Sequence, residues 1–208
     1  MDTWKLIETE RTRLAEALDE LSELEWRQES LCTGWSNHLT LAHIVGSAEV
    51  NFRKAIVGLV ANGFNFPRMV TRLNLQAAQA SSPALVSRLH QLAPARDRPP
   101  GPVAAQLLEV VVHGEDIMFP LAHKVDHDDR ALMVAADYAK KEQTFVGVRK
   151  RIAGLRIRAT DYDWSTGDGP EAAGPLVPLL LAICGRKPAL DSLTGEGVDI
   201  LRDRKSVV

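Results

Sequence analysis

Trp4, Ile7, Arg11, Leu14, Leu18 and Leu21 recur at intervals of three and four, the apolar stripe of a bundle helix, with Arg11 its one polar interruption. That helix ends before "QESLCTGWS", where Ser30 and Gly34 mark a loop. Ser36 is placed to N-cap a second helix, which the pattern carries to about Asn62, where Asn62-Gly63 supplies a stop. A third helical region covers roughly 67–93, with a break at Ser81-Ser82-Pro83. "ARDRPPGP" (95–102) is a hinge, and Pro102 suits the first turn of a fourth helix that runs through 107–117 and ends near Pro120. A further helix is expected at about 128–145.

After Gly154 the period changes. "GLRIRATDYDW" alternates Leu155, Ile157 and Ala159 with Arg156, Arg158 and Thr160, the pattern of a strand. "STGDGPEAAG" reads as a turn followed by a return strand, 175–184 as an apolar helix, and the tail from 186 has no legible pattern. The expected fold is mainly α: a helical bundle over 1–150 and a small α/β extension over 151–208.

Composition changes this picture little. Apolar residues make up 45% and charged residues 25% of 208, as in an ordinary globular protein. The net charge of -2 gives no reason to expect nucleic acid or an anionic membrane as partner. No apolar run approaches the roughly 20 residues that span a bilayer; the longest, "PLVPLLLAICG" (175–185), is interrupted by Pro178. The N-terminus lacks the basic segment and apolar core of a signal peptide, and two cysteines do not make a disulfide scaffold. A cytoplasmic protein without membrane or nucleic-acid partners is the expectation.

The chemistry sits in "LLEVVVHGEDI" (107–117). On a helix, Glu109 and His113 lie one turn apart on one face, where both can converge on a single ion. Chance alone yields about 0.8 acid-to-histidine pairs at this spacing in such a chain. Glu109 could therefore equally pair with a base from another helix, with His113 a satisfied core histidine. His43 supplies a third donor, on a helix face with Leu39, Ala42, Gly46 and Val50 that should turn inward. Two imidazoles and a carboxylate from facing helices make a three-ligand set with open positions, the pattern of a catalytic metal site. Asp116 either orients a ligand imidazole or pairs with a surface base. Cys32 and Cys184 read as buried small residues, and His123 and His127 as a solvated loop after Pro120. The acids of "DYDWSTGDGPE" fit no calcium loop, since Thr166 and Ala172 stand where glycine and glutamate are needed, and read as a tight turn.

The order "W…CTGWS…LAHIV" (26–45), "RPPGP" and "EVVVHGEDI" (98–117), then "GLRIRATDYDWSTGDGPEAAGP" (154–175) resembles the mycothiol-dependent maleylpyruvate isomerase family over nearly the whole chain. The resemblance implies a DinB-like four-helix bundle with a small C-terminal α/β extension. It also implies a divalent ion, usually zinc with nickel or iron also suited, held by a histidine of the second helix and an acid-x-x-x-histidine pair of a later one. Those positions are His43, Glu109 and His113. Mycothiol would then be the thiol cosubstrate, delivered as a metal-bound thiolate to a small electrophile in an isomerisation or transfer. No catalytic arginine of that enzyme aligns with Arg156, Arg158 or any other residue. Bundles of this kind often pair, so a homodimer is a possible assembly. The same donors also suit a metal-dependent hydrolase or oxygenase. A non-catalytic metal-binding module would instead need a fourth protein ligand, for which His38 is the nearest candidate.

Overall fold

α1 (Thr3–Leu18) starts where the Asp2 carboxylate accepts a hydrogen bond from the Trp4 amide at 3.2 Å, and it buries Leu6, Ile7, Leu14, Ala15 and Leu18. Arg11 is buried with them. Its guanidinium donates to the carbonyl oxygens of Leu92 and Ala95 at 3.1 and 3.0 Å, which satisfies a group whose burial alone would be costly. The structure, a computed structural model, describes residues 2–144 and 146–204.

After the short α2 (Glu23–Arg27), Ser36 caps α3 (Asn37–Glu49) as expected, its hydroxyl accepting from the Leu39 amide at 3.2 Å. Ser36→Ala should lower stability by about 1 kcal/mol. An unchanged urea midpoint in that variant would contradict the cap. The expected continuation to Asn62 does not occur. Val50 is extended (φ −81°, ψ 115°), and Asn51 starts α4 (Phe52–Ala61) by accepting from the Lys54 amide at 2.9 Å. An asparagine inside a helical pattern offers the backbone an alternative partner, and here that alternative prevails.

α5 (Phe66–Ala77) and α6 (Ser82–Leu92) flank the expected break, and α7 (Val103–Met118) begins directly after Pro102. α1 packs on α6 and α7, while α3 packs on α5, α6 and α7, so α1, α3, α6 and α7 form a four-helix bundle. Leu41, Leu89, Leu107 and Ile117 are wholly buried within its helices. Each contributes roughly 1.5–3 kcal/mol by leaving water.

The chain divides into two compact units, Met1–Ala131 and Leu132–Val208, the division falling within α8 (Asp129–Ala139). α8 is shorter than the helix expected at 128–145. Beyond it the Glu142 carboxylate accepts from the Val146 and Gly147 amides at 2.8 and 3.0 Å and holds a turn.

In the second unit, β1 (Arg156–Ala159) buries Ile157 and Ala159, as its alternation requires. Where a turn is expected the chain forms the two-residue β2 (Ser165–Thr166), antiparallel to β1, and the strand expected after it does not return antiparallel. β3 (Glu171–Gly174) runs parallel to β1 on its other side, giving the order β2-β1-β3. Gly167 makes this crossing possible: at φ 74°, a Cβ there would lie 2.2 Å from the Leu155 carbonyl oxygen. The acid-rich stretch is a turn, and Asp161 accepts from the first amide of α10 (Leu176–Ile183) at 2.9 Å. α10 carries the buried Cys184 at its end and packs on β1 and β3. The illegible tail forms a 3-10 turn at Lys187–Ser192 and α11 (Gly197–Asp203), elements too short to leave a period in the sequence.

Candidate functional site

All three expected metal donors lie in the first unit, His43 on α3 and Glu109 and His113 on α7. His43 Nε2 is 3.7 Å from Glu109 Oε1, and the rings of His43 and His113 meet edge to face with centroids 4.8 Å apart. The face expected to turn inward does so fully only at Ala42. The buried residues of α3 are Asn37, Thr40, Leu41, Ala42, Ile44, Val45 and Ala48, and His43 stands at their edge with its side chain 18% exposed. That position leaves the imidazole in contact with His113 of α7 and partly exposed.

The outer nitrogens of both rings are engaged. His43 Nδ1 is 3.1 Å from Asn74 Oδ1 on α5. A carbonyl oxygen can only accept, so Nδ1 carries the hydrogen and the Nε2 lone pair is left for the site. His113 Nδ1 likewise donates to Asp116 Oδ2 at 2.8 Å, and Asp116 is wholly buried. Asp116 therefore orients a ring, one of the two roles open to it from sequence. Trp35 packs edge-on against His43 at 5.3 Å. Burial, followed by the neighbouring His113, lowers the His43 pKa from its ordinary value. Burial also opposes charge on His113, but its hydrogen bonds to Asp116 and Cys32 prevail and raise its pKa to about 10.

Glu109 Oε1 and Asn74 Nδ2 are the two buried polar atoms of the site that make no hydrogen bond among the described residues. The other oxygen of Glu109, Oε2, accepts only a long bond of 3.4 Å from Gln106. At 3.7 Å, His43 Nε2 is too distant to donate to Oε1. A buried carboxylate oxygen facing an imidazole lone pair is repulsive unless something positive lies between them. A divalent cation between Glu109 Oε1 and His43 Nε2, with His113 beside them, would relieve this repulsion, although the donor atoms of these three residues do not all lie within 4.8 Å of one another.

A second donor set overlaps the first. Cys32 Sγ, His113 Nδ1 and Asp116 Oδ2 lie within 4.8 Å of one another. Cys32 is buried, as its small size suggested, but the sequence did not reveal that its thiol donates to Asp116 at 3.0 Å, with His113 Nδ1 at 3.6 Å. The loop brings it there: the Trp35 amide bonds to the Cys32 carbonyl, Gly34 takes φ 77°, and the Leu31 amide donates to the Asp116 carbonyl. These three side chains already satisfy one another through hydrogen bonds to one carboxylate oxygen. Glu109 has no such partner, and this difference favours the first set as the ion's position.

His38 does not close the site. Its ring nitrogens contact Ser82 Oγ at 2.8 Å and the Ala78 carbonyl at 3.1 Å. His123 is exposed and bonds to Glu25, in keeping with a solvated loop. His127 contradicts that reading. Its side chain is 6% exposed and bridges two buried carboxylates, Glu10 at 2.5 Å and Glu115 at 2.9 Å. Glu10 also accepts from the Asp128 amide at 2.8 Å. The loop after Pro120 thus folds back between α1 and α7 because two acids on their inward faces need a cation.

Helical bundles can build metal sites from side chains on facing helices, and His43, Glu109 and His113 have that placement on α3 and α7. Comparison of structures gives the particular architecture. Crystal structures of the mycothiol-dependent maleylpyruvate isomerase match with TM-scores of 0.62, for a histidine-to-alanine mutant, and 0.58. The sequence identities are 15% and 17%, and each alignment covers 93% of this chain and 91% of that one. No protein-family model matches the sequence, and neither does any curated protein. The chain has the fold of that isomerase, a DinB-like four-helix bundle with a small C-terminal α/β part.

Proposed function

We propose that the protein is a metal-dependent enzyme that uses a low-molecular-weight thiol, mycothiol, to isomerise or transfer to a small electrophile. The divalent ion, zinc in the first instance, would be held by His43, Glu109 and His113. The observation that carries this reading is the buried, unpartnered Glu109 Oε1 facing the lone-pair side of His43. The fold of the maleylpyruvate isomerase supports the choice of thiol and reaction class.

When bound, the ion would favour the thiolate form of an entering thiol and polarise a substrate carbonyl. The chain's own contribution is orientation. Asn74 fixes the His43 tautomer, and Asp116 holds His113 by its other ring nitrogen, so each imidazole presents one nitrogen inward. Three protein ligands leave coordination positions open, and His38 is bonded elsewhere.

Cobalt-substituted protein titrated with mycothiol tests the thiol directly. The visible absorption of the cobalt should shift and saturate, with an oxygen analogue of the thiol producing no such change. A spectrum unmoved at millimolar mycothiol would remove the thiol from the proposal and leave a metal-dependent hydrolase or oxygenase.

A further inference from the structure

α4 turns an apolar side to the water. Its face toward α5 carries Ala55, Gly58 and Asn62; a Cβ on Gly58 would lie 3.0 Å from the Met69 sulfur. The opposite face presents Phe52, Ile56, Val57 and Val60, between 44% and 63% exposed. Phe64 at the turn is 74% exposed, and Phe66 at the head of α5 is 45% exposed. Positions 52, 56 and 60 recur every four residues, so the side chains form one strip along the helix. Scattered exposed apolar residues need no explanation, but a contiguous strip marks a contact surface. Phe64 adds to this. It sits at φ 60°, a left-handed conformation that a non-glycine residue rarely adopts, and it holds an aromatic ring outward.

The charge carried by α4 and α5 themselves has one sign, with Asp97 beside Phe52 at the N-terminal end of the strip. Between Glu49 and Asp97 the sequence contains no acidic residue, although the whole chain is at -2. Arg53 and Lys54 on α4 and Arg68 and Arg72 on α5 are all exposed. The overall charge conceals this segregation, and with it the argument against an anionic membrane loses its footing. A second copy meeting the same face across a two-fold axis would bring these cations against their own kind. A surface of anionic headgroups over acyl chains complements both features, since apolar side chains enter the boundary while arginine and lysine stay with the headgroups. No described helix is long and apolar enough to cross a membrane, so the contact is peripheral.

We propose that the α4–α5 hairpin docks this face on an anionic phospholipid membrane, independently of what the metal site does. Flotation of the full chain with phosphatidylcholine vesicles, with and without phosphatidylglycerol, tests it. Binding should require phosphatidylglycerol and weaken with added salt and in Arg68→Glu. It should fall about tenfold or more in Val60→Asp and in Phe64→Asp. Both sites are solvent-exposed, and far-ultraviolet circular dichroism would show that the helices persist. Absence of flotation, or flotation that persists in the two aspartate variants or without phosphatidylglycerol, overturns the proposal. A concentration-dependent dimer abolished by Val60→Asp, without vesicle binding, would assign the face to a second copy instead.

Discussion

Under the proposed metal site, replacing Glu109 by glutamine is expected to abolish divalent-ion binding while leaving the metal-free fold as stable as before, or more so. The two effects have opposite signs because Glu109 Oε1 accepts no hydrogen bond, the carboxylate's protein partners being only a long bond from Gln106 to Oε2 and the charge of the buried Arg11. In metal-free protein its Oε1 is a buried acceptor without a donor, facing a ring nitrogen that carries a lone pair. Glutamine keeps the shape, removes the charge and supplies an N–H that His43 Nε2 can accept. The gain is of the order of 1 kcal/mol, the typical net value of a hydrogen bond. Ion affinity should fall by more than about a hundredfold, since losing even a partner behind a ligand costs up to that much. Thermal unfolding in the presence of a chelator and metal competition titrations measure the two halves separately. A variant that is clearly destabilised when metal-free would mean that Glu109 is held by protein groups after all.

The second large effect concerns His127. Burial opposes its charge, but its hydrogen bonds to Glu10 and Glu115 raise its pKa to about 9. A folded-state value above the unfolded one stabilises fully below about pH 6.5, and that contribution is lost as the pH rises through about 9. The separation corresponds to about 3 kcal/mol. Wild-type protein should therefore lose roughly that much more stability than His127→Gln between these two pH values in chelator. Comparison with the variant isolates His127 from other groups that titrate in the same range. In His127→Ala two buried carboxylates are left without their cation, which should cost about 3–5 kcal/mol at pH 6.5. Denaturant unfolding across the pH series reads both. Parallel wild-type and variant profiles would show that the bridge contributes nothing. The effect reaches the site through α7, because Glu115 lies between His113 and Asp116 and ties that helix to α1.

The features legible in the sequence were those carried by one element. The spacing of Glu109 and His113 is a property of a single helix, and Ser36, Asn62-Gly63 and the 95–102 hinge act on the backbone beside them. His43 required a judgement about which face of α3 turns inward, and the buried arc proved to be centred on the neighbouring residues, sharing only Ala42 with the expected face. Asn74 is 31 residues from His43, and Cys32 is 84 from Asp116; hydrogen bonds across such separations leave no period to read. Asn51 could have been weighed as an N-cap rather than as a residue inside a long helix. The bridge at His127 also left a trace: Glu10 and Glu115 both occupy buried positions of their helices and so called for a cation. The parallel placement of β3 depended on glycines at 167 and 169, whose crossing geometry is set by tertiary contact.

Metal content per chain, measured side by side in wild type, Glu109→Gln and Cys32→Ser, tests the proposed metal site most directly. Wild type and Cys32→Ser should each retain about one divalent ion after gel filtration, and Glu109→Gln should retain almost none. An ion kept by Glu109→Gln and lost by Cys32→Ser would contradict the site at His43, Glu109 and His113, and would move it to Cys32, His113 and Asp116.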